Sequence, residues 1–537
     1  MLRPLIVAAA LFWLATQAAI PATIILAKPG IADCSAGYNI RPGTDNLQAA
    51  IAAHPAGTKF CLLAGTYFFN TPVTPKSGDS FIGVFGSTIF EGGKIIPDPW
   101  QPFYQNGHIY YRQKGFLPSS PIAPGVGFCQ GAFPICTYAE DIFEDNVPLV
   151  RQTSIANITD NTGFYEDYPN NYIYLFSNPL SHTIVQSYVS NHIYGGATNN
   201  VTFQNIIFQH AASPAQHGAL QANASGTSGW LVDHCEFIYN HGAGIELISG
   251  TISNSHMHIN GEEGFGVQGY SITFTGNEVD HNNYAGFNQG FEAGPGKFFG
   301  IVGGTVTSNN VHDDSGHGLW VDGSGYNVTI TGNTVTNLAP YAGIVYEISD
   351  LATISSNTLT NTGWTTGSSD PVQFYEPPSI WISASANVTV SNNTITTGGN
   401  GIGIIQQLRK EFCTQPLTGL TTWPNGDTIC PTSPDSRGSH SVANVTVSSN
   451  TINDSNASSS LLWLGGMSND TGVNAYFTGQ NIVWSSNTYC AVHPSTGTYF
   501  AWKGISTLYD GNYNASQWQG GTINQDAGAT FKTYPSC

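Results

Sequence analysis

The chain has 537 residues, with 15 Lys and Arg against 34 Asp and Glu, giving a formal net charge of -19. That balance excludes nucleic acid and an anionic membrane surface as partners, because both are recognised through clustered basic side chains, and it disfavours polyanionic glycans unless a metal ion intervenes. With 61 Gly and only 9% charged residues, the composition points to many short strands joined by tight turns, with long helices nearly absent.

Met1-Leu-Arg3-Pro4 precedes an apolar run from Leu5 to about Ala19, and a second apolar patch reaches Ala27 before Lys28. Residues 1–27 therefore read as a signal peptide cleaved between Ala18 and Ala27, which makes the mature protein secreted or periplasmic, with no membrane association after signal removal. An uncleaved anchor is the alternative reading, since the run approaches the length of a spanning helix. Nine cysteines fit export. Cys34 with Cys61, Cys129 with Cys136, Cys413 with Cys430 and Cys490 with Cys537 suggest four local disulfides, leaving Cys235 as a buried thiol. No CxxC or Cys/His zinc spacing is present.

Over 28–96 we expect an N-terminal cap and the first coils of a repeat. Leu47 and Ile51 lie at helical spacing between Asp45 and His54, Pro55-Ala-Gly57 ends the helix, and the strand Thr58–Leu62 follows. The passage from Leu47 to the Ala64-Gly-Thr-Tyr67 ending resembles the opening of proteins of the pectate-lyase-like superfamily. In that superfamily an amphipathic helix covers the first coil of a right-handed parallel β-helix. The resemblance implies a fold and leaves the chemistry open. From 97 to 179 aromatics and Pro become frequent, and Ala139–Asn146 and Tyr165–Leu175 read as hairpins. This texture is similar to the β modules inserted in β-helical glycoside hydrolases, including bacterial α-galactosidase and β-xylosidase families, and it implies a small inserted β subdomain.

From 180 to 506 a repeat governs, followed by a C-terminal cap over 507–537. Its bend recurs as Gly276-Asn277, Ser308-Asn309, Gly332-Asn333, Ser356-Asn357, Asn392-Asn393, Ser449-Asn450 and Ser486-Asn487, with Asn205, Cys235 and Asn254 fitting less neatly. The cleanest intervals, 309 to 333 and 333 to 357, are 24 residues, the length of one β-helix coil. A single coil cannot bury its apolar face, and stacked coils bury it together. The expected fold is all-β: a single-stranded right-handed parallel β-helix (solenoid) with an N-terminal capping helix and a small inserted β subdomain, its aligned asparagines forming an internal amide ladder.

Candidate chemistry is densest between Asp280 and Glu347. Counted from the turn Gly, Leu319 and Val321 point inward while Trp320 and Asp322 point out; Ile344 and Tyr346 point inward while Val345 and Glu347 point out. Asp322 and Glu347 should then stack in adjacent coils on an exposed face. Counted from the ladder Asn, Asp280 lies beside His312 and His281 beside Asp313, with Asp314, His317 and Trp320 bordering the same surface. We assign Asp322, Glu347, Asp313, Asp314 and His317 as catalytic candidates. Substrate-binding candidates are Trp320, His281, Asp280, His312 and Glu246, together with Tyr375 and Glu376 on a loop whose aromatics could stack on sugar faces. The competing reading is that β-helix turns are polar in any case.

Between Val201 and Gln407 the one Lys or Arg is Lys297, whereas uronate lyases of this superfamily generally use Arg or Lys, often with calcium. Glycoside hydrolysis needs two carboxyls flanking the bond and groups that hold the sugar. Asp313-Asp314 and Gly316-His317-Gly318 look like pieces of the polygalacturonase signature run together in one turn, but the Arg-Ile-Lys stretch is absent and no role is transferred. The leading expectation is a glycoside hydrolase acting on a neutral or weakly acidic polysaccharide or oligosaccharide. A lyase or C5-epimerase with a His base, and a non-catalytic glycan-binding or adhesion protein, are the alternatives. No cofactor and no metal ligand is assigned, with calcium left possible, and the oligomeric state is not legible.

Overall fold

The computed structural model describes residues 34, 37–43, 46–121, 128–364, 377–397, 399–406, 442–454, 464–469, 480–493, 497, 499–503, 511–521 and 523–535. Residues 1–27, read above as a signal peptide, and Cys413, Cys430, Cys537, Tyr375 and Glu376 lie outside them. Among the described residues no helix is long and apolar enough to cross a membrane.

Parallel strands stack coil upon coil, as the 24-residue repeat requires. Each regular coil contributes three of them. The first row runs through Ala243–Ile248, Glu263–Tyr270, Gly294–Val302, Leu319–Asp322, Ile344–Glu347 and Ile380–Ser383. A second row runs through Thr305–Thr307, Tyr326–Thr331 and Asp350–Ser355, and a third through Glu236–Ile238, His256–His258, Glu278–Asp280 and Asn310–His312. The first two rows merge into one 25-stranded sheet, and the third forms a 13-stranded sheet. Inward side chains align across coils: Val311, Val335, Leu359, Ile395, Ile452 and Tyr489 succeed one another in register, all within one continuous apolar core.

The turn from second to third row explains the recurring dipeptides. The residue before each ladder Asn is left-handed, with φ of +65° at Gly276, +57° at Ser308, +66° at Gly332 and +56° at Asn392, a region that Gly and short polar residues enter most readily. The following Asn then points into the coil. Asn277, Asn309, Asn333, Asn357, Asn393 and Asn450 each donate Nδ2–H to the next Asn Oδ1 at 2.9–3.1 Å, and Asn487 closes the series by donating to Asp526 Oδ2 at 3.0 Å. Ser255, not Asn254, stands at the ladder position: its N–H donates to Asn277 Oδ1, while the Asn254 side chain turns out to Asp233. Asn333 also donates to Val306 O and accepts from Asn309 N. We expect Asn333→Ala to orphan several buried groups at about 1–3 kcal/mol each, read as a fall in the urea midpoint; an unchanged midpoint would refute a structural ladder.

The helix Asn46–Ala53 places Leu47 and Ile51 in the core, beside the first strands. The chain leaves the solenoid after Thr88–Glu91, yet that strand pairs directly with Ile207–Gln209, so the insertion interrupts no coil stacking. Two sheets make up the inserted part. One contains Gln101–Gln105, His108–Lys114, Val150–Arg151, Gly163–Asp167 and Tyr172–Leu175, and the other Gly93–Ile95, Ile142–Glu144, Val147–Pro148 and Ile184–Ser187. Ile184–Ser187 pairs antiparallel with Gly93–Ile95 and Ile142–Glu144, so the solenoid resumes at Ile193–Tyr194 rather than at 180. At the other end Trp518, on the short helix Ala515–Gln519, stacks on Phe500 at 4.9 Å. Cys34–Cys61 and Cys129–Cys136 are disulfides with Cα atoms 5.5 Å apart, and Cys235 is free and buried.

Candidate functional site

On the outer side of the first row, alternation turns every second side chain away from the core. In register along one file come Gln221, Glu246, Gly266, Lys297, Trp320, Val345 and Trp381. The file beside it carries Phe299 and Asp322 in register, and one coil on Glu347 pairs with Ser383. Inward and outward assignments from the sequence hold: Leu319, Val321, Ile344 and Tyr346 belong to the main core, while Trp320 and Val345 form a separate outer cluster with Ala342, Trp381, Ile405 and Ala501. The outer face is covered, however. Asp322 is 5% exposed and Glu347 2%, so the expectation that both face open solvent is wrong; the apolar outer cluster next to them shows that this face is packed.

Lys297 organises the patch. Its Nζ lies 2.7 Å from Asp322 Oδ2 and 4.1 Å from the Trp320 ring centroid, and it donates to Phe291 O. Burial disfavours the ammonium, but the charge and hydrogen bond of Asp322, with the charges of Glu292 and Glu347, hold its pKa above the ordinary value. Around it are four acids that burial raises. Glu246 is pushed up to about 8, with Glu292 adding to the shift, and it hydrogen-bonds Glu263. Glu262 and Glu263 are raised well above the ordinary range by burial and by Glu292. Glu292 itself is raised by burial against the opposing charge of Lys297. Gly266 makes room for this arrangement, because a Cβ there would fall 1.7 Å from Glu246 Oε1. Gln216 ties the edge together, its N–H donating to Glu262 Oε2 at 2.6 Å and its Nε2 to Glu292 Oε1.

The raised pKa has a direct consequence for stability. The protonated form of Glu246 is favoured on folding, so its contribution is complete below the ordinary 4.5 and is lost as pH rises through about 8. The melting temperature should therefore decline across that window, and Glu246→Gln should flatten the decline. An unchanged slope in the variant would mean that Glu246 is ionised in the folded chain.

His317 stands at the corner where the third row turns into the first. Its ring packs against Trp320, Tyr341 and Trp381 at centroid distances of 5.2, 5.7 and 5.8 Å, and its Nδ1 accepts the Ala342 N–H. Burial, with Lys297 nearby, lowers it to about 3, so it is a neutral imidazole. The Nε1–H of Trp320 is buried with no acceptor among the described residues.

Asp280, His281, His312 and Asp313 belong to a different face. Asp280 and His312 are register partners on the third row, and the His281 N–H donates to Asp313 O, as the Asn count predicts. His281 Nδ1 is 2.5 Å from Asp280 Oδ2, and His312 lies 2.9 Å from both Glu278 Oε1 and Asp313 Oδ2. Hydrogen bonding to Glu278 raises His312 to about 9, and bonding to Asp280 raises His281. Burial alone would raise Asp280, but bonds from His256 and His281 take it well below the ordinary carboxylate range. The expected single cluster is thus two, because the chain turns a corner between Asp313 and Leu319. Asp314 marks that corner as part of the scaffold. It ends a second ladder, Asn240–Asn260–Asn282–Asp314, accepting from Asn282 Nδ2 at 2.8 Å, and burial raises it to about 6.

Sequence reasoning missed Glu262, Glu263, Glu236, His256, His258 and Glu278. The last three had a signal: His256 and Glu278 each follow a ladder residue by one, and Asp280 and His312 follow by three. Taking Asn254 in place of Ser255 shifts that coil by one residue and sends its side chains to the wrong face.

A family model for the right handed beta helix region matches residues 218–377. No curated protein matches the sequence. Among solved structures, the complex of XylC with xylose superposes with a TM-score of 0.55 at 10% identity, covering 89% of this chain and 85% of that one. The A-module of the Azotobacter vinelandii mannuronan C-5 epimerase AlgE6 gives 0.44 at 13% identity, covering 92% and 99%. A PL6 alginate lyase in complex with a trisaccharide gives 0.43 at 11% identity, covering 94% and 97%. At these identities the likeness is one of fold.

Proposed function

We propose that the protein is an exported glycoside hydrolase acting on a neutral or weakly acidic polysaccharide or oligosaccharide, with Asp322 and Glu347 as its paired carboxylates. The observation that carries this reading is that both directly follow the register pair Val321–Tyr346 of adjacent coils, with the Lys297 ammonium 2.7 Å from Asp322. Strands one coil apart are separated by about 4.8 Å, which matches the roughly 5–5.5 Å between the carboxyls of retaining glycosidases. Asp322, with its counter-charge supplied by Lys297, attacks the anomeric carbon, and Glu347 gives its proton to the departing glycosidic oxygen. Glu347 then takes a proton from water as the water releases the glycosyl group from Asp322. Glu246, protonated at neutral pH, donates a hydrogen bond to a sugar hydroxyl, and Trp320 offers a ring edge and a free N–H.

Two further features support the choice. Four raised acids around one lysine are a burial cost that a scaffold does not require, and such groups concentrate at functional sites. XylC, which shares the fold, was solved with xylose. The lyase or epimerase alternative needs a basic group at a uronate carboxylate, yet this face holds one lysine already opposed by acids, and its histidine is buried and neutral. The disulfides fit an oxidising compartment. Incubation with a polysaccharide panel tests the reading: new reducing ends without the ultraviolet absorbance of an unsaturated uronate are expected. An unsaturated product would replace hydrolysis by elimination, and no product on any glycan would leave a binding protein.

A further inference from the structure

The third row carries a second concentration of chemistry, on a sheet other than the one that holds Lys297. Two outward files run side by side: Glu236, His256, Glu278 and Asn310 in one, Ile238, His258, Asp280 and His312 in the other. Within this block two overlapping sets, Glu236/His256/His258 and His256/Glu278/Asp280, each bring three ligand atoms to within 4.8 Å of one another. His256 belongs to both. Its Nε2 lies 2.5 Å from Asp280 Oδ1, His258 Nε2 lies 2.9 Å from Glu236 Oε1, and the two imidazoles stack in parallel at 3.7 Å. His256, Glu278 and Asp280 are all buried.

We propose that this block is a binding site for one divalent transition-metal ion of the zinc or manganese class, with His256, Glu278 and Asp280 as its ligands. Imidazole with carboxylate suits such ions, whereas calcium takes six to eight oxygens. At bonds of about 2.0–2.2 Å, tetrahedral ligands stand roughly 3.4 Å apart, so small side-chain rotations close the set around an ion. The outer partners are already in place. His281 Nδ1 fixes Asp280 through Oδ2 at 2.5 Å, and His312 Nε2 fixes Glu278 through Oε1 at 2.9 Å. Metal-ligating carboxylates are oriented by such second bonds. An ordinary buried His–Asp pair needs one partner on each side; here His256, His258, His281 and His312 share Glu236, Glu278 and Asp280.

The test uses the full chain, stripped with a chelator and freed of it by gel filtration, then titrated calorimetrically with ZnCl2, MnCl2 or CaCl2. One equivalent of Zn2+ or Mn2+ should bind and raise the melting temperature, with calcium ineffective at the same concentration. His256→Ala should weaken binding by about 100-fold or more, and the near-isosteric Glu278→Gln and Asp280→Asn by about 10-fold or more each, since loss of an outer-shell partner alone costs about 10–100-fold. His182→Ala, which removes an exposed His–Asp145 pair on the inserted part, should bind as the wild type does. Absence of stoichiometric Zn2+ or Mn2+ binding by the wild type would overturn the proposal. So would calcium binding in preference, or unchanged affinity in folded Glu278→Gln and Asp280→Asn.

Discussion

On the proposed assignment, Asp322→Asn and Glu347→Gln should each lower turnover on a cleaved glycan by about 10³-fold or more, because each would remove a group that makes or transfers a bond in the transition state. The two variants separate on stability. Asp322 faces Lys297 with side-chain exposures of 8% and 12%, and its replacement leaves a buried ammonium with less counter-charge. Removing one partner of such a pair costs roughly 3–5 kcal/mol. Asp322→Asn should fall at the lower end, since Lys297 keeps Glu292 nearby. Urea unfolding reads the stability, and single-turnover assays with a labelled oligosaccharide read the chemistry. Near-wild-type turnover in both variants sinks the catalytic assignment, whatever the unfolding curves show.

Asp141→Ala should lower stability by about 3–5 kcal/mol. Asp141 is buried at the join between the inserted part and the solenoid. There it lies 2.7 Å from His241 Nδ1, accepts from Tyr284 Oη at 2.6 Å, and pairs with Arg151 at 3.2 Å. Arg151 in turn pairs with Glu166, and Glu166 with Tyr168. Burial would raise the Asp141 carboxyl, but the charge and hydrogen bond of His241 and the charge of Arg151 hold it below its ordinary value. Its contribution is therefore present at neutral pH and lost as pH falls through the folded value. Alanine leaves His241, Tyr284 and Arg151 without their common acceptor. A loss below about 1 kcal/mol in urea unfolding would show that apolar packing alone holds the join.

The repeat determined the fold in advance because its signals are local. A left-handed Gly, Ser or Asn followed by Asn, then an apolar residue two positions on, sets the bend, the ladder and the inward face of a coil within a few residues, and the 24-residue interval does the rest. By the same logic the alternation placed Trp320 and Asp322 outward, and the ladder count placed Asp280 beside His312. Tertiary structure decided what alternation and ladder counting leave open. Whether the outer face is wet depends on what covers it, and Asp322 and Glu347 are buried. Which acids share a patch depends on where the chain turns between rows: Asp313, in the bend after the third-row strand Asn310–His312, and Asp322, on the first row, end apart although nine positions separate them. The Glu246–Lys297 patch assembles from strands and loops whose sequence spacing is irregular, and only stacking of the coils brings Glu292 close enough to shift both Glu246 and Lys297.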